Sequence, residues 1–445
     1  MTRTLIRTDK WPLHATAQQR HLMRLTLAEY RQFCRALSVV VLSNWPSLQQ
    51  APSFAAAVER LMHPTKKNPS PRHLYFAKRF YKFPSYLRRA AIEFVKGQVS
   101  SYLTRYRAWQ SGDRARRDAK PPRFNPIAGC YPVMYRGQLV KFDAEFTTAS
   151  LKLWDGKEWL WHEVAIKAVR QRHHLGTIKS PTLVLNRRCH LAVPVEMTPP
   201  SLPDRQRVCA VDLGINTLAT ASIVTPNGTV AARGGFHPAA DMDRRDKRAT
   251  LIRRKARKTA KLSKGFGRTW YRKAQHINEQ MAQQTSRRLV DFALEHGADV
   301  IVLEDLKGWR PRAGKKRSGL RQRFHHWLHR RLATLIEQKM VEAGGRVVHV
   351  YPRGTSSWAF DGSGRIKRDK AQHELATFQN GKQYNADLNA SYNIGARYWA
   401  WKHKLTRRKD GQLSAGKRSP DKPRTPVTLS TLWRREPEAP HRYVA

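Results

Sequence analysis

The stretch Val208-Cys209-Ala210-Val211-Asp212-Leu213-Gly214 decides how the second half of this chain is read. Small and apolar residues run into an aspartate and then a glycine, the profile of a buried strand that ends in a carboxylate. Such a carboxylate is costly beside a core unless it is paired or holds a metal. A strand through Leu218 to Thr225 then meets the turn Pro226-Asn227-Gly228, and a return strand starts at Thr229. Further on, Val300-Ile301-Val302-Leu303 is a continuous apolar run suited to a buried strand, and it too runs into an acid, Glu304. Helices are expected over about Ile277–Glu295 and Phe324–Ala343 and from near Asp387, with a strand at Arg346–Tyr351. A hairpin followed by alternating helices and strands makes an α/β domain.

Three acids therefore stand where structural acids are unusual: Asp212, Glu304, and Asp387 in Tyr384-Asn385-Ala386-Asp387-Leu388-Asn389-Ala390. Converging carboxylates suit magnesium, which takes oxygen ligands. Two such ions about 3.5–4 Å apart can clamp the attacking and leaving oxygens of a phosphodiester. Taken singly, each acid also fits a helix cap, a dipole partner or a solvated turn. Asp305 reads as the solvated neighbour of Glu304.

The charge narrows the partners. Lys and Arg number 84 against 33 Asp and Glu in 445 residues, a net of +51 with a pI near 11.1. The excess is spread along the whole chain, which suits a protein that meets nucleic acid on several faces. Between Asp241 and Lys273 there are fourteen Lys/Arg and three Asp. Arg244, Arg245, Lys247, Arg248, Arg253, Arg254, Lys255, Arg257 and Lys258 lie too densely for one helix face, and acids for i,i+4 pairing are mostly missing. These residues are candidate nucleic-acid contacts. Trp270 and Tyr271 either stack on bases or pack. Lys307–Arg323 is a second basic patch; His325 and His329, four apart without an acidic partner, read as phosphate or surface contacts. Arg353 either touches phosphate or packs. The basic tail from Lys402 is expected to be disordered without nucleic acid.

The first half reads differently. Thr4, Leu5 and Ile6 suit a short strand. Residues 17 to about 110 are helical in pattern, with a break at Pro64–Pro71. The linker Ser111–Pro122 follows, and residues 125 to 200 alternate as strands with a turn at Asp155-Gly156. Pro199-Pro200 marks a boundary. Cys34, Cys130, Cys189 and Cys209 form no C-x-x-C pair, so neither a zinc ribbon nor a disulfide framework is indicated. No apolar run approaches the roughly 18 residues of a membrane span, and Met1–Pro12 lacks a signal-peptide core, so an intracellular protein is expected.

Val211-Asp212-Leu213-Gly214-Ile215-Asn216 with Leu218-Ala219 resembles the first RuvC motif of the TnpB proteins and the type V CRISPR effectors. Ile301-Val302-Leu303-Glu304-Asp305-Leu306 resembles the second. Asn385-Ala386-Asp387-Leu388-Asn389-Ala390 with Asn393-Ile394 resembles the third. Order and spacing agree over about 206–396. The family usually places a zinc ribbon between the second and third motifs, after a Thr-Ser pair. Here Thr355-Ser356 is present, but the cysteine positions fall at Ala359, Gly362, Thr377 and Asn380. A structural zinc needs four ligands, so no zinc is expected, and the segment is expected as a metal-free loop.

The resemblance implies an α/β multidomain protein: an RNase H-like (RuvC) nuclease domain plus a β-barrel wedge domain with an inserted helical recognition domain. Its parts would be the first wedge strand (1–16), recognition helices (17–124), wedge barrel (125–205), RuvC segments (206–240, 276–350 and 385–400), a basic bridging helix region (241–275), a degenerate zinc-ribbon-like segment (351–384) and a basic tail (401–445). It implies an RNA-guided DNA endonuclease, transposon-associated or a compact CRISPR effector, with guide RNA and target DNA as partners. Asp212, Glu304 and Asp387 would be the catalytic residues and would hold two magnesium ions. A guided binder that silences without efficient cutting, and an RNA-independent resolvase or transposase, stay open as alternatives. So do monomer and homodimer. The expected location is the prokaryotic cytoplasm, at the nucleoid.

Overall fold

The computed structural model describes residues 4–66, 68–80, 82–167, 173–215, 217–259, 263, 265–306, 328–369, 372, 374–403, 405–407, 413–415 and 427–433. The chain divides into two compact units, Met1–Thr198 and Pro199–Ala445, a division at the Pro199-Pro200 pair.

In the first unit, strand β1 runs Leu5–His14, much further than the apolar cluster Leu5-Ile6 indicates. Its inward residues alternate, Asp9, Trp11 and Leu13, as a pleated strand requires. Helices α1 (Ala17–Ser43), α2 (Trp45–Gln50), α3 (Phe54–Met62), α4 (Leu74–Arg79) and α5 (Ser85–Gln110) follow. Thr16 starts α1 with a capping box, accepting from the Gln19 amide while the Gln19 side chain accepts from its own. The buried stripe of α1, with Met23, Tyr30, Cys34, Leu37 and Val41, shares a core with Leu87, Ala91, Val95 and Val99 of α5. Phe33 stacks on Phe83 with centroids 4.4 Å apart.

Strands β2 (Val140–Phe142), β3 (Thr148–Trp154), β4 (Trp159–Ile166), β5 (Thr177–Ile178), β6 (Thr182–Leu185) and β7 (Cys189–Met197) join β1 in a seven-stranded sheet, order β2-β3-β4-β1-β7-β5 with β6 also on β7. The strand β1 pairs with β7 through Leu5–Pro12 and then with β4 through Leu13–His14. Residues 132–137 hydrogen-bond to β6 (Leu183 N to Pro132 O, 3.1 Å) and turn at Gly137 into β2 (2.8 Å to Val140 O). The sheet thus curls back on itself around Trp11, which meets Phe142 and Phe146 edge-on.

In the second unit, β8 (Val208–Asp212), β9 (Ala219–Val224) and β10 (Val230–Phe236) are antiparallel, while β11 (Val300–Glu304) and β12 (Arg346–Val350) run parallel to β8; the order is β10-β9-β8-β11-β12. Helices α6 (Ala239–Lys258), α7 (Arg268–Glu295) and α8 (His329–Glu342) occupy the connections. The basic bridging helix region (241–275) falls on two helices: α6 ends at Lys258, and α7 starts after Gly267, whose φ is +64°. A small sheet of β13 (Lys367–Arg368), β14 (Leu375–Thr377) and β15 (Gln383–Asn385) leads into α9 (Ala386–Lys402).

The central strands are buried on both faces. Cys209, Val211, Ile301 and Leu303 face a cluster with Met281, Leu289 and Ile336 of α7 and α8. Val208, Ala210, Val300 and Val302 face Ile394, Tyr398 and Trp399 of α9. The helix α9 comes close because Gly395 lies over β8 and β9: a Cβ there would be 2.7 Å from Val224 Cγ2 and 3.2 Å from Ala210 Cβ.

The segment 351–384 is no bare loop. Phe360 meets Phe378, Tyr384 and Tyr392 edge-on with centroids 5.0–5.6 Å apart, and Asp361 Oδ2 accepts from Asn380 Nδ2 at 3.1 Å. An aromatic cluster and this polar bridge thus join the Ala359–Gly362 and Thr377–Asn380 turns. The expectation of a disordered tail from 401 fails for its described parts. Strands pair at Leu405–Arg407 and Leu413–Ala415. Residues 427–433, ending in α10 (Ser430–Trp433), are largely buried.

Candidate active site

Alternation and register bring the acids together. The β8–β11 pairing sets Val208 beside Val300 and Ala210 beside Val302. Continued two residues, it sets Asp212 beside Glu304. Ala210 and Val302 face α9, so Asp212 and Glu304, two residues on, face it too. Asp387 is the second residue of α9. Its turn is held by Asn385, whose Oδ1 accepts from the amides of Asp387 (3.0 Å) and Leu388 (2.9 Å). Asp305 is exposed beside them.

Each acid keeps a partly accessible surface, yet the surrounding protein strips water from all three. Lost hydration, then the charges of Glu304 and Asp387, push Asp212 well above the ordinary aspartate range, while Arg368 pulls it down. Lost hydration raises Glu304, against the Thr355 hydrogen bond and the Arg397 charge. It raises Asp387 too; Arg368, with an Nη1 3.9 Å from Asp387 Oδ1, opposes this and Glu374 adds to it. Among the described residues no three acids, histidines or cysteines lie close enough to form a ready metal cluster. The charges of Glu304 and Asp387 nonetheless reach Asp212.

The donor set nevertheless fits a hard divalent cation. The oxygens belong to three carboxylates, and a cation would remove the repulsion that raises Asp212.

Residues that the sequence reading assigned no role support the acids. Thr355, 1% exposed, donates from its hydroxyl to Glu304 Oε1. Arg397 donates to the carbonyls of Tyr351 and Arg353, the latter at 2.9 Å. Buried Asn389 accepts from Phe360 N and donates to Trp358 O, and buried Asn393 donates to Thr355 O and Trp358 O. The two asparagines stand one helical turn apart, both quoted in the third motif, and they anchor the Thr355–Phe360 turn to α9.

On α6, Arg244, Arg253, Arg254, Lys255, Arg257 and Lys258 are exposed, as is Arg353, while Arg248 is half-buried. Arg245 is a correction. It is 2% exposed, with Nε 2.8 Å from Asp246 Oδ1 and Nη1 3.4 Å from Asn278 Oδ1, so it fastens α6 to α7 in place of meeting phosphate. Lys255 lies 4.9 Å over the Trp270 ring. The patch Lys307–Arg323, His325 and most of the basic tail lie outside the described residues.

The class these features define is a mixed α/β protein with acids gathered at strand ends and a helix start. A family model described as Cas12f1-like, TNB domain, matches residues 329–394, and one described as Aq_aa04 family matches residues 7–155. Over 149 residues the chain is 28% identical to the TnpB-like protein aq_aa05 of Aquifex aeolicus (strain VF5), 32% of this chain and 48% of that one. The match thus spans about half the length of that relative. The mini-RNA-guided endonuclease CRISPR-Cas_phi3 shares the fold, with a TM-score of 0.51 at 10% identity over 89% of this chain and 92% of that one. The chain is thus similar across about a third of its length to a TnpB-like protein, and it shares its fold with an RNA-guided endonuclease.

Proposed function

We propose that the protein is an RNA-guided DNA endonuclease whose Asp212, Glu304 and Asp387 hold magnesium for phosphodiester hydrolysis. The observation that carries this reading is that Asp212 and Glu304 close neighbouring strands of the sheet that α9 covers, with Asp387 in the first turn of α9 and the raised Asp212 as the electrostatic mark. Three antiparallel strands followed by two parallel ones support an RNase H-like domain. The curled sheet and its inserted helices support the wedge and recognition domains. Net charge supports RNA and DNA as partners.

Bound at these acids, magnesium would supply activated water and charge neutralisation at the phosphodiester. The chain's own residues set the terms. Thr355 and Arg397 keep Glu304 available as an anion, and Arg368 balances Asp387 and Asp212. The exposed cations of α6 would meet phosphates, while sequence reading is left to base pairing with the guide.

One observation favours a second reading. The guanidinium of Arg368 stands at Asp387, where it competes with a metal, so guided binding with weak cleavage is the alternative. The test is to sequence the RNA that co-purifies with the protein and challenge a plasmid matching its variable end, with and without magnesium. Magnesium-dependent cutting that fails in Asp212→Asn is the expected result. Tight guided binding without cutting would favour the alternative, and cutting that needs no RNA would overturn guiding.

A further inference from the structure

We propose that the first unit carries a pocket for one unpaired guanine nucleotide of a nucleic-acid strand, with Trp154 and Trp159 as stacking surfaces and Glu29 as the group that reads the base. The pocket encloses about 500 Å³ between Glu29 of α1, Phe80 and Phe83 after α4, and the turn that joins β3 to β4, a volume within the range of small-ligand sites. Its walls are braced in the absence of a ligand. Trp159 meets Phe83 edge-on with centroids 5.8 Å apart, and Trp154 lies 5.4 Å from Trp159. The turn between the two tryptophans is held by Asp155, whose Oδ1 accepts from the amides of Lys157 at 2.7 Å and Glu158 at 2.6 Å. Lys82 Nζ donates to Lys157 O at 3.1 Å and ties that turn to the chain after α4.

The lining selects the ligand. Aromatic rings stack on any base, so the tryptophans account for a base and not for its identity. Identity comes from buried Glu29. Arg79 grips it with a two-pronged contact, Nη1 to Oε1 at 2.7 Å and Nη2 to Oε2 at 3.0 Å, which fixes the carboxylate plane. Each oxygen keeps a further lone pair, and the group can only accept. Guanine alone among the four bases presents two adjacent N–H donors, at N1 and the exocyclic N2. Adenine and cytosine set an amino group beside a ring acceptor that a carboxylate repels, and uracil has one N–H between two carbonyls. Charge agrees with a strand. Among the described residues the lining sets Arg79, Lys82 and Lys157 against Glu29 and Glu158. Arg79 matches Glu29, and Lys82 lies 3.7 Å from Glu158. The remaining cation is exposed Lys157, and a phosphodiester carries one negative charge.

The nuclease reading does not use this pocket, and the test needs neither guide nor cutting, so its failure leaves that reading standing. The full-length protein is titrated with labelled single-stranded UUGUU and UUAUU and the DNA pentamer TTGTT, at salt high enough to suppress non-specific contacts, and binding is read by fluorescence anisotropy. UUGUU should bind about tenfold more tightly than UUAUU, as a two-pronged base contact provides. Glu29→Gln should erase that preference. Trp154→Leu should weaken both RNA pentamers about tenfold, and Lys157→Ala, on an exposed turn, should weaken both by a common factor. Binding of TTGTT as tight as that of UUGUU assigns the pocket to guanine of either strand type, and weaker binding assigns it to RNA. Equal affinity of the wild type for UUGUU and UUAUU overturns the inference, as does a guanine preference that survives Glu29→Gln. If Glu29→Gln does not fold, Trp154→Leu and Lys157→Ala decide: unchanged affinity for UUGUU in either overturns it.

Discussion

Asp212 and Glu304 close neighbouring parallel strands at matching positions, four residues beyond the paired Val208 and Val300. The charge of Glu304 repels that of Asp212, and Asp387 adds a third negative charge. The site is thus built at a cost to the metal-free fold, and that cost makes it testable without a cleavage assay.

Asp212→Asn should abolish magnesium-dependent cutting and leave RNA binding intact. It should also raise the melting temperature of the metal-free protein. Because folding lifts the Asp212 pKa above its unfolded value, the folded state binds more protons, and stability falls as pH climbs from the ordinary carboxylate range through the raised folded value. At neutral pH the variant escapes that penalty. Magnesium should raise the melting point of the wild type and not of the variant. Thermal scans with chelator and with magnesium decide this, and equal responses would remove Asp212 from the metal site.

Thr355→Val keeps the shape and removes the donor to Glu304. The Glu304 pKa should climb further, so the acid limb of the cleavage profile should move to higher pH. Magnesium affinity should fall roughly 10–100-fold, as for other groups that orient metal ligands. An unchanged profile would make Thr355 a packing residue only.

Arg368→Gln should lower the stability of the metal-free protein, since Asp387 and Asp212 lose the charge that balances them. At saturating magnesium the difference should shrink, because the cation takes over that role. A deficit that persists in full at saturating magnesium would show that Arg368 acts elsewhere.

Chelation followed by magnesium alone should restore the protein, and metal analysis should find no stoichiometric zinc. Phe360→Ala should cost about 3–5 kcal/mol, because Phe360 lies at the centre of the aromatic cluster that joins the two turns. Measurable zinc in the purified protein would reject the metal-free assignment.

Asp212, Glu304 and Asp387 are legible in sequence because an acid that ends an apolar run, or follows a capping asparagine, violates local pattern. The reach of β1 is not. A proline inside a run argues against a strand, yet Pro12 sits where β1 leaves β7 for β4, and there a missing amide costs little. Arg245 reads like its basic neighbours because burial depends on which face of α6 meets α7, and so dense a charge run hides the periodicity. Thr355 lies 51 residues from Glu304, a pairing that only the tertiary fold creates. The described parts of the tail show a further limit: basic composition argued for disorder, but Leu429 and Leu432 are nearly inaccessible.

Those last residues also bear on any attempt to miniaturise the protein. Leu429 N donates to Asn393 Oδ1 at 3.3 Å, Ser430 N to Phe360 O at 2.8 Å, and Trp433 Nε1 to Gly228 O at 3.2 Å. Gly228 and Gly362, both at positive φ, leave no room for a Cβ beneath Trp433 and Ser430. A truncation just before Val427 would spare all three acids and every cation of α6. It would nonetheless strip interior partners from Asn393, the residue that pins the Thr355 turn. The shortest working version of this chain is therefore set by a clasp far downstream in sequence, and trimming by motif alone would cut through it.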